Sequence, residues 1–375
     1  MTAYFDCAAT APIDPEAREA LLRFTDLEYG NAGSRTHEFG AQAKRAVQAA
    51  RGQVAALARA RADEVIFTSG ATEANNLAIL GLRAHGLAAG RRHIVTTAIE
   101  HKAVLEPVQA LAAEGFEATF IRPGSDGRVS ADAVLAAVRP DTLLVSVMHA
   151  NNETGALQPI ERIAAGLIGT GAFLHVDAAQ SFGKFTAPLI DPAIHMISVS
   201  GHKVHAPKGI GALIVRRGHT KVPLAPLTYG GGQERGLRPG TLPVALIAAF
   251  GAASAAAARD ADQRRTRCLE IRKHLLDTLR PLGAEINGSL SDGLASTVNL
   301  SFPGLDSEAV MLVLKDQLAL SNGSACTSAS YDPSHVLVAM DLPSDRIDGA
   351  LRFSWCHMTK EPDWNAVAAA IRSLH

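Results

Sequence analysis

The sequence predicts an α/β fold, a mostly parallel central sheet accompanied by a smaller α+β domain. From about residue 60 to 215, short apolar runs alternate with helical stretches. Strands that read as continuous apolar runs between helices belong to a parallel sheet covered on both faces. Past that region the order changes, with long helices before the next strands. At 375 residues the chain also exceeds one minimal domain.

In chain order, the apolar runs place strands at Val65–Thr68, His93–Thr97, Thr142–Met148, Phe173–Val176, Met196–Ser200 and Gly211–Val215. Amphipathic segments Leu77–His85 and Val104–Ala113 are helix candidates between them. Leu242–Ala258 is alanine-rich and apolar, and a charged helix through Arg264–Leu279 follows it. Thr297–Ser301 and Leu351–Ser354 read as strands around a helix at Glu308–Lys315, and Pro362–Leu374 as a closing helix. The expected division is a large domain at 13–252 and a small one built from 1–12 and 253–375. There is no internal repeat and no low-complexity linker.

Composition narrows the function. Apolar residues make up 47% and charged residues 19%, as in globular proteins generally. A net charge of −1 supplies no global field toward nucleic acid or membrane, so direct nucleic-acid binding is not expected. The first residues lack a basic stretch followed by an apolar core, so no signal peptide is expected. No apolar run approaches the roughly 18 residues of a membrane span. Cys7, Cys268, Cys326 and Cys356 lie far apart and match neither a disulfide framework nor paired zinc knuckles. A reduced, cytoplasmic setting is the simplest reading.

Ligands of open α/β sheets bind beyond the carboxyl ends of the strands. Five of the expected strands run into polar clusters there: Ser69-Gly-Ala-Thr-Glu73, Glu100-His101, Asn151-Asn152, Asp177 with Gln180, and Gly201-His202-Lys203. Together they mark an active site. Singly, each has a plainer meaning. The turn at Gly70-Ala71-Thr72 is either a helix cap or a phosphate site made of free amides. Asp177 could cap a turn or pair with a protonated ring nitrogen. Lys203 is either a snorkelling surface residue or a desolvated amine able to form a Schiff base. His101, His149, His202, His205 and Cys326 raise the question of a metal, but no HExxH, CxxC or carboxylate cluster accompanies them, and none is expected. Neither GxGxxG after a strand nor GxxxxGK[ST] occurs, which argues against dinucleotides and nucleoside triphosphates.

Taken in order, Ser69-Gly-Ala-Thr-Glu, Glu100-His-Lys, Asn151-Asn-Glu-Thr-Gly, His175-Val-Asp-Ala-Ala-Gln180 and Ser200-Gly-His-Lys203 resemble the cysteine desulfurases. The match extends through Gly230-Gly-Gly-Gln-Glu-Arg-Gly-Leu-Arg-Pro-Gly-Thr241, Ser321-Asn-Gly-Ser-Ala-Cys-Thr-Ser328 and Leu351-Arg-Phe-Ser354, and begins at Asp6-Cys-Ala-Ala-Thr-Ala-Pro12. These are fold-type-I, class-V aminotransferase-like enzymes that use pyridoxal 5'-phosphate. The resemblance implies that Lys203 carries the cofactor, Asp177 holds its ring nitrogen protonated, Gln180 meets the ring hydroxyl and His101 stacks on the ring. It assigns the phosphate to the Ala71 and Thr72 amides with Ser200 and His202. Thr241 would reach the phosphate of a neighbouring subunit, which implies a homodimer. Asn152, also counted among the cofactor contacts, and Arg352 would hold the substrate carboxylate.

Cys326 sits among Gly323, Ser324, Thr327 and Ser328, small polar residues that suit an exposed loop. The resemblance makes it the persulfide-forming cysteine, in the longer, mobile type of loop known from iron–sulfur-cluster and DNA-phosphorothioation desulfurases. The implied reaction turns L-cysteine into L-alanine and leaves a persulfide on Cys326 for an acceptor protein. A free thiol is only about 3% ionised at neutral pH, so a neighbour must help deprotonate it or the substrate, and the resemblance points to His101. Two rivals share the scaffold: a selenocysteine lyase or cysteine-sulfinate desulfinase, and a non-catalytic partner of a sulfur pathway. Cys7, Cys268 and Cys356 read as structural. Two departures stand out. Phe353-Ser-Trp-Cys-His357 replaces the common Phe-Ser-Leu-Gly-Arg, and the sequence stops at His375, about thirty residues short of the housekeeping cluster enzymes. The second departure favours a dedicated route, nucleic-acid thiolation first and specialised cluster assembly second.

Overall fold

A computed structural model of the chain describes residues 2–218, 221–322 and 333–374. Its centre is a seven-stranded sheet in the order Val65–Thr68, Gly211–Val215, Met196–Ser200, Phe173–Asp177, Thr142–Met148, His93–Thr97, Glu117–Ile121. Gly211–Val215 runs antiparallel to both neighbours and every other pairing between adjacent strands is parallel. The sheet is therefore mostly parallel, as the apolar runs predict.

Successive strand residues point to opposite faces, and each face has its own core. Phe67, Val95, Val145, Leu174, Ile197 and Ile214 enter one, with the buried sides of helices Glu38–Leu57, Ile160–Leu167 and Val244–Arg259. Ile66, Ile94, Leu144, Phe173, Met196 and Leu213 enter the other, under helices Ala71–Leu80 and Lys102–Ala113. Doubly covered strands need no polar face, which is why they read as unbroken apolar runs.

A third core gathers around a three-stranded antiparallel sheet of Glu285–Asn287, Thr297–Ser301 and Ala350–Ser354. Leu275 and Leu279 of helix Ala261–Leu279, Val310 and Leu314 of helix Ser307–Leu314, and Val367 and Ile371 of helix Trp364–Arg372 pack on Val298, Leu300, Leu351 and Phe353. The N-terminus joins this core through Ala3 and Phe5, and Ala3–Tyr4 pairs with Leu318–Ala319.

Two expectations are corrected. The helix expected at Leu77–His85 is two helices, Ala71–Leu80 and Arg83–Ala89. The first starts six residues earlier than its amphipathic pattern because it begins at the polar turn. It ends at Gly81, whose carbonyl accepts from the Ala225 amide at 2.8 Å. The strand Glu117–Ile121 was not expected; it lies at the sheet edge with only partial burial, so no apolar run announces it.

Candidate active site

The parallel strands all deliver their carboxyl ends to one edge, and the expected polar clusters meet there. After Val65–Thr68 the chain turns through Ser69 and Gly70 into helix Ala71–Leu80, whose N-cap makes no side-chain hydrogen bond. The first amides, Ala71 and Thr72 among them, thus face outward with the positive end of the helix dipole, as an anion requires. Gly70 lies beside Ser200: a Cβ at Gly70 would stand 3.8 Å from Ser200 Oγ. Gly211 makes this approach possible, since a Cβ there would fall 2.6 Å from Gly70 Cα and 2.5 Å from the Val199 carbonyl oxygen. Glu73 braces the turn, accepting from the Ser69 amide at 2.6 Å and from Arg238 Nε at 2.9 Å. His202, in the next turn, shares a 3.2 Å hydrogen bond between Nδ1 and Thr10 Oγ1.

Asp177 is the last residue of its strand and is buried. Asn75 Nδ2 donates to its Oδ2 at 2.7 Å and the Ala179 amide to its Oδ1 at 2.9 Å. These bonds stabilise a carboxylate and fix its plane. The sequence reading missed Asn75; its only signal is the spacing that brings it one helical turn after Ala71, on the helix that starts at the site.

Lys203 ends a short 3₁₀ turn and its Nζ donates to the carbonyl oxygens of Ala8 and Ala9, the latter at 2.8 Å. The Ala8 oxygen also accepts from Gln180 Nε2 at 3.0 Å. His101 is the N-cap of helix Lys102–Ala113, and its Nδ1 accepts from the Ala103 amide at 3.1 Å. That bond leaves the neutral ring protonated at Nε2. Burial, aided by the Lys203 charge and opposed by Asp177, holds His101 below the ordinary imidazole value.

Arg352 is buried in strand Ala350–Ser354. Its Nη2 donates to Asp6 Oδ1 at 2.8 Å and its Nη1 to the Asn152 carbonyl oxygen at 3.2 Å. Cys326 lies outside the described residues, but both flanks of that stretch are docked here. The Ser321 carbonyl oxygen accepts from the Arg352 amide at 2.7 Å. On the other side Ser334 Oγ donates to Glu153, and His335 Nε2 meets the Glu100 carbonyl oxygen at 2.9 Å. Thr241 is exposed, in the stretch before helix Val244–Arg259, and among the described residues no side-chain hydrogen bond joins it to this cluster. Its segment is tethered by Glu234, which takes a bidentate bond from buried Arg51 at 2.6 and 2.8 Å and another from the Phe67 amide at 2.7 Å.

Several buried polar atoms at this edge have no hydrogen-bond partner among the described residues: Asn75 Oδ1, Asn152 Oδ1, Gln180 Oε1 and His149 Nε2. Leaving such a group unpaired costs about 1–3 kcal/mol. A ligand with a phosphate for the open amides, a cationic ring N–H for Asp177 and a hydroxyl for Gln180 fits the edge. Lys203 supplies an amine at the same place.

The family model described as Aminotransferase class-V matches residues 3–367. A curated relative, the cysteine desulfurase IscS of Anaeromyxobacter dehalogenans, is 44% identical over 96% of this chain and 89% of its own. A solved NifS-like protein superposes with a TM-score of 0.91 at 34% identity, covering 100% of this chain and 99% of its own. DndA from Streptomyces lividans gives a TM-score of 0.83 at 48% identity, with coverages of 94% and 99%.

Proposed function

Because the chain belongs to the aminotransferase class-V family, we propose a reading of its site as that of a pyridoxal 5'-phosphate-dependent cysteine desulfurase. The enzyme takes sulfur from L-cysteine and leaves L-alanine. The observation that carries the residue assignments is Lys203 on the same sheet edge as the Asn75–Asp177 pair and the open helix start at Ala71.

Bound pyridoxal phosphate supplies an electron sink that acidifies the α-proton of an attached amino acid. The residues do the rest. The Ala71 and Thr72 amides, with Ser200 and His202, hold the phosphate. Asp177, oriented by Asn75, keeps a proton on the ring nitrogen. Gln180 would hold the ring hydroxyl, His101 would pack by the ring, and Lys203 would supply the amine that holds the cofactor and the base that moves the α-proton. Asn152 and the fork of Arg352 hold the substrate carboxylate. The Cys326 thiolate would attack the substrate sulfur, forming the S–S bond of a persulfide as the C–S bond breaks, while the electron pair of that bond stays on the β-carbon, which takes up a proton to become the methyl group of alanine. The docking of Ser321 and Ser334 beside Arg352 and Glu153 supports this role, because it tethers both ends of the stretch at the site.

The test uses two variants. Lys203→Ala should lose the visible absorbance of the cofactor and all turnover, whereas Cys326→Ser should keep the absorbance and release little alanine. Full alanine production by Cys326→Ser would overturn the nucleophile assignment.

A homodimer with a shared site is part of the same reading. Exposed Thr241 and the exposed side chains of Leu227 and Tyr229 support it. The two-domain division at 13–252 against 1–12 with 253–375 is kept with one refinement. Ala253 and Ala257 pack in the large core and the helix ends at Arg259, so we place the break near Asp260. We also propose a cytoplasmic setting. No single described helix is long and apolar enough to cross a membrane. For the sulfur we favour delivery through an acceptor protein to nucleic-acid thiolation, supported by the likeness to DndA, with iron–sulfur assembly as the second route. Transfer rates from persulfide-loaded enzyme to each class of acceptor decide between them.

A further inference from the structure

The departure at Trp355-Cys356-His357 places two potential metal ligands at the end of strand Ala350–Ser354. The fold brings His205 to them from more than a hundred residues away. The ligand atoms of His205, Cys356 and His357 all lie within 4.8 Å of one another. Tetrahedral zinc needs separations of roughly 3.3–3.8 Å between its N and S ligands, a closure of about 1 Å that side-chain rotation can supply. The imidazoles meet edge to face with centroids 5.0 Å apart.

Three further observations fit a ligand set better than a chance encounter. First, His205 Nδ1 is 3.0 Å from the Pro12 carbonyl oxygen. The Nδ1–H donated there leaves Nε2 with its lone pair, and metal-binding histidines are commonly oriented in this way. Second, His205 is held at φ +69°, a left-handed conformation uncommon for a residue with a side chain, and the Asp14 amide pins its carbonyl at 2.8 Å. Third, the Cys7 amide donates to the Ser354 carbonyl oxygen at 3.0 Å, which sets Cys7 beside the segment that carries Cys356, although its thiol is not among the ligand atoms within 4.8 Å of one another. Cys7, His205 and Cys356 are only 2%, 5% and 4% exposed.

Lys184 and Arg264 line the adjoining cavity of about 140 Å³, and both oppose a bare cation. Arg264 is neutralised by Asp14 at 2.8 Å and Asp260 at 3.4 Å. Two thiolates with two neutral imidazoles cancel a divalent charge. Mixed sulfur and nitrogen donors favour zinc among abundant divalent ions.

We propose that His205, Cys356 and His357 form the core of a structural zinc site behind the active site, which Cys7 completes as a Cys₂His₂ set by turning its thiol toward the metal. It joins three segments: the N-terminal stretch, the turn after Lys203 and the end of the Ala350–Ser354 strand. Cys7 directly precedes Ala8 and Ala9, whose carbonyl oxygens receive Lys203 Nζ, and His205 follows Lys203 by two residues. The metal thus clamps the frame around Lys203 without touching the reacting atoms.

The test is metal analysis of full-length, tag-free holoenzyme, reduced, incubated with Zn²⁺ and desalted. About one zinc per chain is expected, falling to below about a tenth in Cys356→Ser and in His357→Ala, with pyridoxal phosphate content measured alongside. His357 is only half-buried, so that variant guards against misfolding as an explanation. Co²⁺ in place of Zn²⁺ should give a thiolate-to-metal charge-transfer band that Cys356→Ser abolishes. Zinc far below one per chain in the wild type, equal zinc in the variants, or no such band would overturn the proposal. So would a Cys7–Cys356 disulfide that, once reduced, takes up no metal. These readouts do not depend on desulfurase turnover.

Discussion

Asn75 and Asp177, 102 residues apart in sequence, are joined by a 2.7 Å hydrogen bond from Nδ2 to Oδ2 with both side chains buried. The bond couples the helix that starts at the Ala71 turn to the Asp177 carboxylate, which the proposed reading sets against the ring nitrogen of the cofactor. Hydrogen bonds to charged groups contribute about 1.5–3 kcal/mol. Asn75→Ala should therefore weaken cofactor retention roughly ten- to a hundredfold, read by equilibrium dialysis of pyridoxal phosphate. Unchanged retention would show that the Ala179 amide alone suffices.

Gly211→Ala should harm the same site from the opposite side. Its Cβ would meet only backbone, at 2.5 Å from the Val199 oxygen and 2.6 Å from Gly70 Cα. Overpacking of this kind costs about 1–3 kcal/mol. A Cβ at Gly218 meets nothing within 4 Å, so Gly218→Ala is the control. Denaturant midpoints of the two variants, with cofactor content, make the comparison.

Glu100 predicts a pH dependence. Burial pushes its carboxyl up to about 8, against hydrogen bonds to the same oxygen from Thr97 at 2.7 Å and the Met148 amide at 2.8 Å. The other oxygen, Oε2, has no partner among the described residues, as suits a protonated acid. The folded chain thus keeps a proton that the unfolded chain releases near pH 4.3. Its contribution to stability is complete below that pH and declines as pH rises toward about 8. Glu100→Gln should be more stable than the wild type at pH 8, with the gap closing toward pH 5. Unfolding curves at both pH values check this, and a constant gap would exclude the buried acid as its source.

Arg352→Lys separates substrate holding from cofactor holding. A lysine keeps the charge but loses the planar fork that reaches Asp6 and the Asn152 carbonyl oxygen. KM for cysteine should rise about tenfold or more, with cofactor affinity unaltered. A fall in cofactor affinity instead would place Arg352 among the cofactor contacts.

The sequence by itself determined six of the seven strands of the large sheet and the polar clusters at its edge. Strands buried on both faces must be apolar throughout, so Val65–Thr68, Thr142–Met148 and Gly211–Val215 were legible to the residue. Polar residues directly after such strands stand at one sheet edge by topology alone, which exposed Asp177, Lys203 and the Ala71 turn. Tertiary structure alone decided the rest, because those features depend on residues that approach from remote segments. Glu117–Ile121 is a strand by virtue of its neighbour His93–Thr97, not of its own pattern. Asn75 gains its role from Asp177, Glu234 from Arg51, and His205 from Cys356 and His357. Side-chain hydrogen bonds and metal ligands act over a few ångströms in space, and sequence spacing carries no record of such contacts when they bridge separate elements.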